Sequence, residues 1–285
     1  MMRCLLLGMS LVLLGCGDNF DDNSARVRGL RLLGVQGEPA EAGPGASVTL
    51  TAVAVDPSGR AITVRWAACI EPPLPGTGLP NPACVSSDTA PYLISLGEGL
   101  SITAQVPEVE PAVLGAPDPT GGLYVPVRVR LGTASESLDG IYRLRYAQGT
   151  PPNQPPNQNP RFAEVSRITR AADGSAVASP LVEGEPLGVS EGEALTLRAT
   201  FVPDSAETYQ APGVGGTTRT AKETLNVTWF TTAGRYRTDS TGDGGETVLR
   251  LNRDLPGLGQ TIDLWLIGRD ERGGLDVLHR TLQLQ

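Results

Sequence analysis

The sequence predicts an all-β protein, built as two tandem β-sandwich domains behind an export signal. Three observations predict it. Apolar and polar residues alternate at period 2 through most of the chain, as half-buried strands require, and no window carries a long capped amphipathic helix. The 35 glycines and 24 prolines among 285 residues make up about a fifth of the chain. Average usage gives about 12%, so breakers are too frequent here for a helical bundle. Finally, the alternation runs out in a Pro/Asn/Gln stretch and then restarts, giving two halves of roughly 120 residues each, a domain-sized unit rather than a solenoid repeat.

Met1-Met2-Arg3 supplies a short positive start, and residues 4–14 form an apolar run of about eleven residues. That is too short for the roughly 20 residues of a membrane-spanning helix and suits the core of a signal peptide. The run ends in Leu13-Leu14-Gly15-Cys16, with Gly17-Asp18 following. This box resembles the lipobox of bacterial lipoproteins. The resemblance implies that residues 1–15 are a lipoprotein signal peptide, that cleavage follows Gly15, and that Cys16 is acylated with palmitate-type chains. The lipid bilayer is then the first partner, because each buried CH₂ of an acyl chain contributes about 0.8 kcal/mol and several chains hold a terminus in the membrane. Gly17, where retained lipoproteins carry Asp, implies delivery to the outer membrane of the cell envelope, with its periplasmic or surface face left open. Residues 16–25 are polar and acidic and read as a flexible tether.

Of the four cysteines, Cys4 leaves with the signal peptide and Cys16 takes the lipid, which leaves Cys69 and Cys84. An exported compartment is oxidising, so this remainder predicts one disulfide. It would close a loop rich in proline, Glu71-Pro72-Pro73-Leu74-Pro75-Gly76 and Pro80-Asn81-Pro82. Closing about 15 residues contributes roughly 3 kcal/mol in the chain-entropy model. A two-Cys metal site lacks a nearby His or second Cys pair.

The first sandwich is expected over residues 26–147. Residues 29–35 open it, and 47–55 alternate so that Val48, Leu50 and Ala52 share one face. Asp56-Pro57-Ser58-Gly59 is a turn with Asp first and Pro second. Residues 61–67 alternate again with Ile62, Val64 and Trp66 inward, and further strands follow at 92–96, 100–106, 123–131 and 140–146. Residues 148–160 repeat Pro-Pro-Asn-Gln in tandem, carry no apolar side chain, and read as a semi-rigid spacer unable to pack.

The second sandwich, residues 161–285, echoes the first. Ser47-Val48-Thr49-Leu50-Thr51-Ala52 before Ile62-Thr63-Val64-Arg65-Trp66 is matched by Ala194-Leu195-Thr196-Leu197-Arg198-Ala199 before Leu225-Asn226-Val227-Thr228-Trp229. Residues 123–131 and 141–146 find counterparts in 262–268 and 277–284, while a polar insert around 211–222 has none. The run from Val48 to Trp66 resembles the B-to-C strand region of immunoglobulin-like and polycystic-kidney-disease-type (PKD-like) domains of exported bacterial proteins. The resemblance implies that Trp66 and Trp229 fill the two sandwich cores. The Trp-Asp-Phe-Gly-Asp-Gly hallmark of PKD domains and the inter-sheet cysteine pair of antibody domains are both missing.

A net charge of −8 argues against a nucleic-acid partner, since phosphate binding needs a Lys/Arg surplus. With one histidine, His279, and one lysine, Lys222, most catalytic constellations are unavailable, and no Gly-x-Ser-x-Gly elbow or phosphate loop exists. No catalytic residue and no cofactor is expected. Asp239, Asp243 and Glu246 offer oxygen ligands at calcium-like spacing, but Arg250 stands where a bidentate Glu is needed and no helices flank the segment. It reads as a solvated hairpin turn before it reads as a calcium loop. The expected function is a non-catalytic, membrane-anchored envelope lipoprotein acting as a structural or protein-interaction module, with the long loops 71–87 and 203–222 as binding candidates. The alternative is a carbohydrate-binding or adhesive surface lipoprotein, for which Tyr92, Tyr209 and Tyr236 are the aromatics to expect at the surface.

Overall fold

The computed structural model describes residues 24–74, 79–87, 89–147 and 154–285. Strand accounts for 51% of the chain and helix for 4%, so the fold is all-β. The first half contains β1 (Arg31–Glu38), β2 (Glu41–Ala42), β3 (Ser47–Val55), β4 (Thr63–Cys69), β5 (Leu93–Glu98), β6 (Ser101–Gln105), β7 (Leu123–Gly132) and β8 (Ser137–Tyr146), with a short α1 (Ala83–Ser86) between β4 and β5. The second half contains β9 (Phe162–Arg170), β10 (Ala176–Pro180), β11 (Leu187–Val189), β12 (Ala194–Phe201), β13 (Thr208–Pro212), β14 (Thr218–Lys222), β15 (Asn226–Thr231), β16 (Arg235–Tyr236), β17 (Ser240–Gly242), β18 (Glu246–Arg250), β19 (Thr261–Arg269) and β20 (Leu275–Leu284).

The internal echo in the sequence is an echo in topology. The first half pairs its strands in the orders β1-β3-β6 and β2-β8-β7-β4-β5. Strand for strand, the second half repeats them as β9-β12-β18 and β11-β20-β19-β15-β17, adding β10 and β16 at the edges of the smaller sheet. In each half a very short strand joins the last strand in parallel, β2 on β8 and β11 on β20, while the hairpins β7–β8 and β19–β20 are antiparallel.

Period-2 side-chain alternation puts one face of each sheet inside. Val48, Leu50, Ala52, Val64 and Trp66 are buried in the first core, and Leu195, Leu197, Ala199, Val227 and Trp229 in the second. Each indole N–H, which would be costly to bury unpaired, finds an acceptor. Trp66 donates to the Gly99 carbonyl at 2.8 Å and Trp229 to the Thr241 hydroxyl at 3.0 Å.

A third apolar cluster joins the halves. Val27 and Leu33, with Val53 and Val55 beside them, meet Phe230, Ile267 and Leu275, flanked by Trp265 and Val277. Gly34 lies at this contact, where a Cβ would come within 2.6 Å of the Leu275 side chain.

Two expectations are corrected at this junction. Residues 154–160 do pack. The Asn157 side chain is 1% exposed, its backbone N–H donates to Glu41 at 2.8 Å and its amide donates to Asp270 at 3.2 Å. Asn159 donates to the Gly37 carbonyl at 2.7 Å and accepts from the Leu275 N–H at 2.9 Å. Asn and Gln amides pin an extended segment by hydrogen bonds where it has no apolar side chains to bury. Likewise the tether reading of 16–25 stops short at its end. The Ala25 carbonyl accepts from the Thr231 N–H at 3.0 Å, the Val27 N–H donates to the Thr231 carbonyl at 2.8 Å, and Ala25 belongs to the core of the second half. From Ala25 the described chain therefore runs along the second sandwich, crosses to β1, and returns. Among the described residues no helix is long and apolar enough to cross a membrane.

Candidate functional site

A cleft of about 530 Å³ lies on the first sandwich, within the usual range for ligand pockets. The disulfide between Cys69, the last residue of β4, and Cys84 of α1 builds one wall. It holds a proline-rich excursion that the backbone alone would leave loose. Further ties are local: Leu74 N–H donates to the Leu79 carbonyl at 3.0 Å, the Asn81 amide to Pro72 at 3.2 Å, and the Tyr92 hydroxyl to Ala83 at 3.2 Å. Arg128 of β7 secures the far end of the loop through the Ser87 carbonyl at 2.8 Å. The facing wall is the 3₁₀ turn Pro111–Leu114 and the residues after it, with Tyr124, Pro126 and Arg143 on the sheet side.

One end of the cleft is polar and ordered. Asp118 accepts from Thr120 N–H and hydroxyl at 2.9 and 2.6 Å, from Gly122 N–H at 3.0 Å and from the Tyr124 hydroxyl at 2.8 Å. Burial opposes the Asp118 charge, but these hydrogen bonds outweigh it and hold the carboxyl below its ordinary range. Burial in turn pushes the Tyr124 phenol up. The Arg143 guanidinium lies 4.0 Å from the centre of the Tyr124 ring, a cation–π contact. The cleft thus combines apolar walls with a stacked arginine and one fixed carboxylate, Asp118.

Behind Tyr124 the cleft connects to a buried charge network at the junction of the halves. Arg145 donates to the Tyr124 hydroxyl at 3.0 Å, to the Thr120 hydroxyl at 2.8 Å and to Glu41 at 3.2 Å. Glu41 also accepts from Arg272 of the second half at 3.4 Å, and Arg272 donates to Glu223 at 3.3 Å. All four side chains are nearly or wholly buried. Burial among carboxylates, with Asp270 the largest like charge, pushes Glu223 up to about 7 against the favourable pull of Arg272. The hairpin β13–β14 closes the network: Tyr209 lies 4.9 Å under Arg272 and donates to Glu271 at 2.6 Å.

The remaining predicted residues are placed as follows. Cys16 lies outside the described residues. Cys69 and Cys84 are bonded. Asp243 accepts from the Phe201 N–H at 3.1 Å, and the hydrogen-bonded Arg198, with Arg170 beside it, holds Glu246 below the ordinary carboxylate range. Asp239 interacts instead with Ser24, so these three do not form one ligand set. Among the described residues no group of three or more His, Cys, Asp or Glu is arranged to hold a metal. His279 is exposed on β20, hydrogen-bonded to Asp263 at 2.8 Å and stacked on Trp265. Tyr209 and Tyr236, expected at the surface, are 4% and 6% exposed, and Tyr92 is half-buried. Two of the three aromatics expected at the surface are therefore buried. The insert 203–222 proves to be the β13–β14 hairpin packed on the junction. Glu41, Arg145, Glu223 and Arg272 were not singled out by sequence.

No family model matches the chain, and no curated protein does. Among solved structures, an Escherichia coli alpha-2-macroglobulin activated by porcine elastase aligns over 92% of this chain and 22% of its own at 14% identity, TM-score 0.23. Dimeric latent PorU from Porphyromonas gingivalis aligns over 91% and 24% at 9% identity, TM-score 0.23. The chain thus spans under a quarter of either structure's length.

Proposed function

We propose that the chain is a lipid-anchored, non-catalytic binding module of the bacterial cell envelope, carried by Cys16 and delivered to the outer membrane. It takes an extended segment of a protein partner into the cleft of its first sandwich. The observation that carries this reading is the cleft itself: its proline walls are stapled by Cys69–Cys84, and its polar end is set by Asp118, Tyr124 and Arg143. Among the described residues its lining includes no Ser, Thr or His, so these residues offer surface and charge where a nucleophile and base would be needed for acyl transfer. Extended, proline-tolerant peptides lose little entropy on docking to such walls.

The anchor fits the same geometry. Eight residues, nine Cα-to-Cα steps, separate Cys16 from the pinned Ala25, a reach of at most about 30 Å, so the body would stay close to the bilayer. Intact mass spectrometry of membrane-extracted protein tests the anchor. A chain beginning at Cys16 with acyl chains, and two thiols appearing only on reduction, is expected. An unacylated chain cleaved elsewhere overturns it. For the cleft, a photo-crosslinking residue at Leu79, 60% exposed on its lip, should yield a partner adduct that Arg143→Glu abolishes, and the same residue at the distant, exposed Leu258 should not. Equal adducts from both positions would refute the cleft.

A further inference from the structure

We propose that β10 is a self-pairing edge, through which two copies of this chain join their sheets about a two-fold axis at Val177. Each half of the molecule ends its smaller sheet differently. In the first half the outer edge is β1, which is covered by the second half at the apolar junction. In the second half the corresponding strand β9 is extended by β10, and β10 is the last strand of that sheet. All five of its residues, Ala176–Pro180, are exposed.

The ladder fixes which backbone groups face outward. The Ala171 N–H donates to the Ser175 carbonyl at 2.9 Å, and the Leu181 N–H donates to the Val165 carbonyl at 2.8 Å. Both pairs lie in the same register as Ala176↔Arg170 and Pro180↔Ser166. Antiparallel pairing alternates inward and outward residues. Residues 175, 177, 179 and 181 therefore turn their amides to β9, and Ala176 and Ala178 turn theirs to the open side. Pro180, also outward, offers a carbonyl only.

Natural edge strands are blunted by charge, by an inward lysine or by a central proline. From Gly174 to Val182 this edge carries no charged residue, and its proline stands at the end of the strand. The sequence Ser175-Ala176-Val177-Ala178-Ser179 reads the same in both directions. A two-fold axis through Val177 therefore sets Ala176 opposite Ala178 of the second copy, and the converse. Each such pair exchanges two N–H···O bonds. Val177, 54% exposed, meets its own copy across the axis as a non-hydrogen-bonded pair with Cα atoms about 4.5 Å apart. The interface is isologous, so it closes as a dimer and does not propagate into a fibre. A ladder this short buries less than the about 1,200 Å² of a stable complex, so the dimer is transient in dilute solution.

The Cα separation across the axis lies within disulfide range, which gives the test. Full-length Val177→Cys protein in its native membrane fraction is oxidised mildly and run on a non-reducing gel, with the bridged peptide identified by mass spectrometry. The expected result is a covalent dimer joined at 177, at least about tenfold in excess over that from Val182→Cys, which is 49% exposed but off the axis. Adding Ala178→Pro to Val177→Cys removes two outward N–H donors per dimer while leaving the β9 ladder intact. The dimer should then fall at least about tenfold, with the thermal midpoint unchanged. Equal cross-linking at 177 and 182, or a dimer indifferent to Ala178→Pro, overturns the proposal. Sedimentation of the unsubstituted protein at rising concentration gives an independent reading, and a strictly monomeric species at hundreds of micromolar also overturns it.

Discussion

Replacing Glu223 by Gln isolates a strongly perturbed carboxyl. The Glu223 side chain is wholly enclosed, with Arg272 from the β19–β20 turn its cationic partner, and Glu207, Glu41 and Asp270 nearby as like charges. These surroundings raise it from 4.5 to about 7. The sign follows from proton binding: between these values the folded state holds a proton that the unfolded chain has released, so stability falls as pH rises through the window and is level above it. At about 1.36 kcal/mol per unit, the loss is about 3 kcal/mol between pH 4.5 and 7. Gln resembles the protonated acid and does not titrate. The variant should match the native protein near pH 4.5 and exceed it by about 3 kcal/mol at pH 8, a gain in melting temperature of roughly 6–12 °C for a chain this size. Thermal scans of both proteins across pH 4 to 8 give the difference curve, in which carboxyls common to both cancel. A flat difference, or a variant weaker at pH 8 because Arg272 has lost its acceptor, would refute the account.

Arg272→Ala leaves Glu41 and Glu223 buried without that cation and should cost about 3–5 kcal/mol in urea denaturation, whereas a cost under 1 kcal/mol would mean the network is solvated. Reducing Cys69–Cys84, which closes a separation of 15 residues, should lower stability by about 3 kcal/mol and open the 70–83 segment to proteolysis before the rest of the chain. Gly268→Ala places a Cβ within 2.6–2.9 Å of the stacked Phe201 and Phe162 rings. A loss of about 1–3 kcal/mol is expected from overpacking, and no change in the denaturation midpoint would show that the rings can shift.

The strands were legible because each central one carries period 2 over several residues, and a slip of one would turn its apolar set outward. Thus β3 runs over Ser47–Val55 as the alternation of that segment requires, and the Trp66 and Trp229 positions align the halves. The two-residue β2 and three-residue β11 are too short to carry a period. The junction was hidden for a different reason. Glu41 and Arg145 lie where composition and alternation read as solvent, and their cover comes from distant parts of the chain, Thr120 and Tyr124 on Arg145 and Asn157 and Arg272 on Glu41. A signal did exist in residues apolar on both phases, Val53-Ala54-Val55 and Trp265-Leu266-Ile267, which is how strands buried on both faces read. The amide-rich 154–160 segment has no apolar periodicity to read, because it packs through polar bonds to Glu41, Asp270 and Gly37.

Joining the halves along a face, rather than end to end, has a consequence for any partner bound in the cleft. The chain's entry at Ala25 is fixed to β15 of the second sandwich, while the cleft belongs to the first. On a free spacer, the two would move independently, and an anchor at Cys16 would leave the cleft's orientation to chance. Here the path from cleft to junction is continuous: Asp118 accepts from Tyr124, Tyr124 accepts from Arg145, and Arg145 and Arg272 share Glu41. Each link uses a group that would be expensive to leave unpaired in the interior, so separating the halves exposes apolar surface and orphans buried charge at once. That double cost makes the body rigid. On the lipid-anchor reading, the cleft and the pinned end at Ala25 then move as one body.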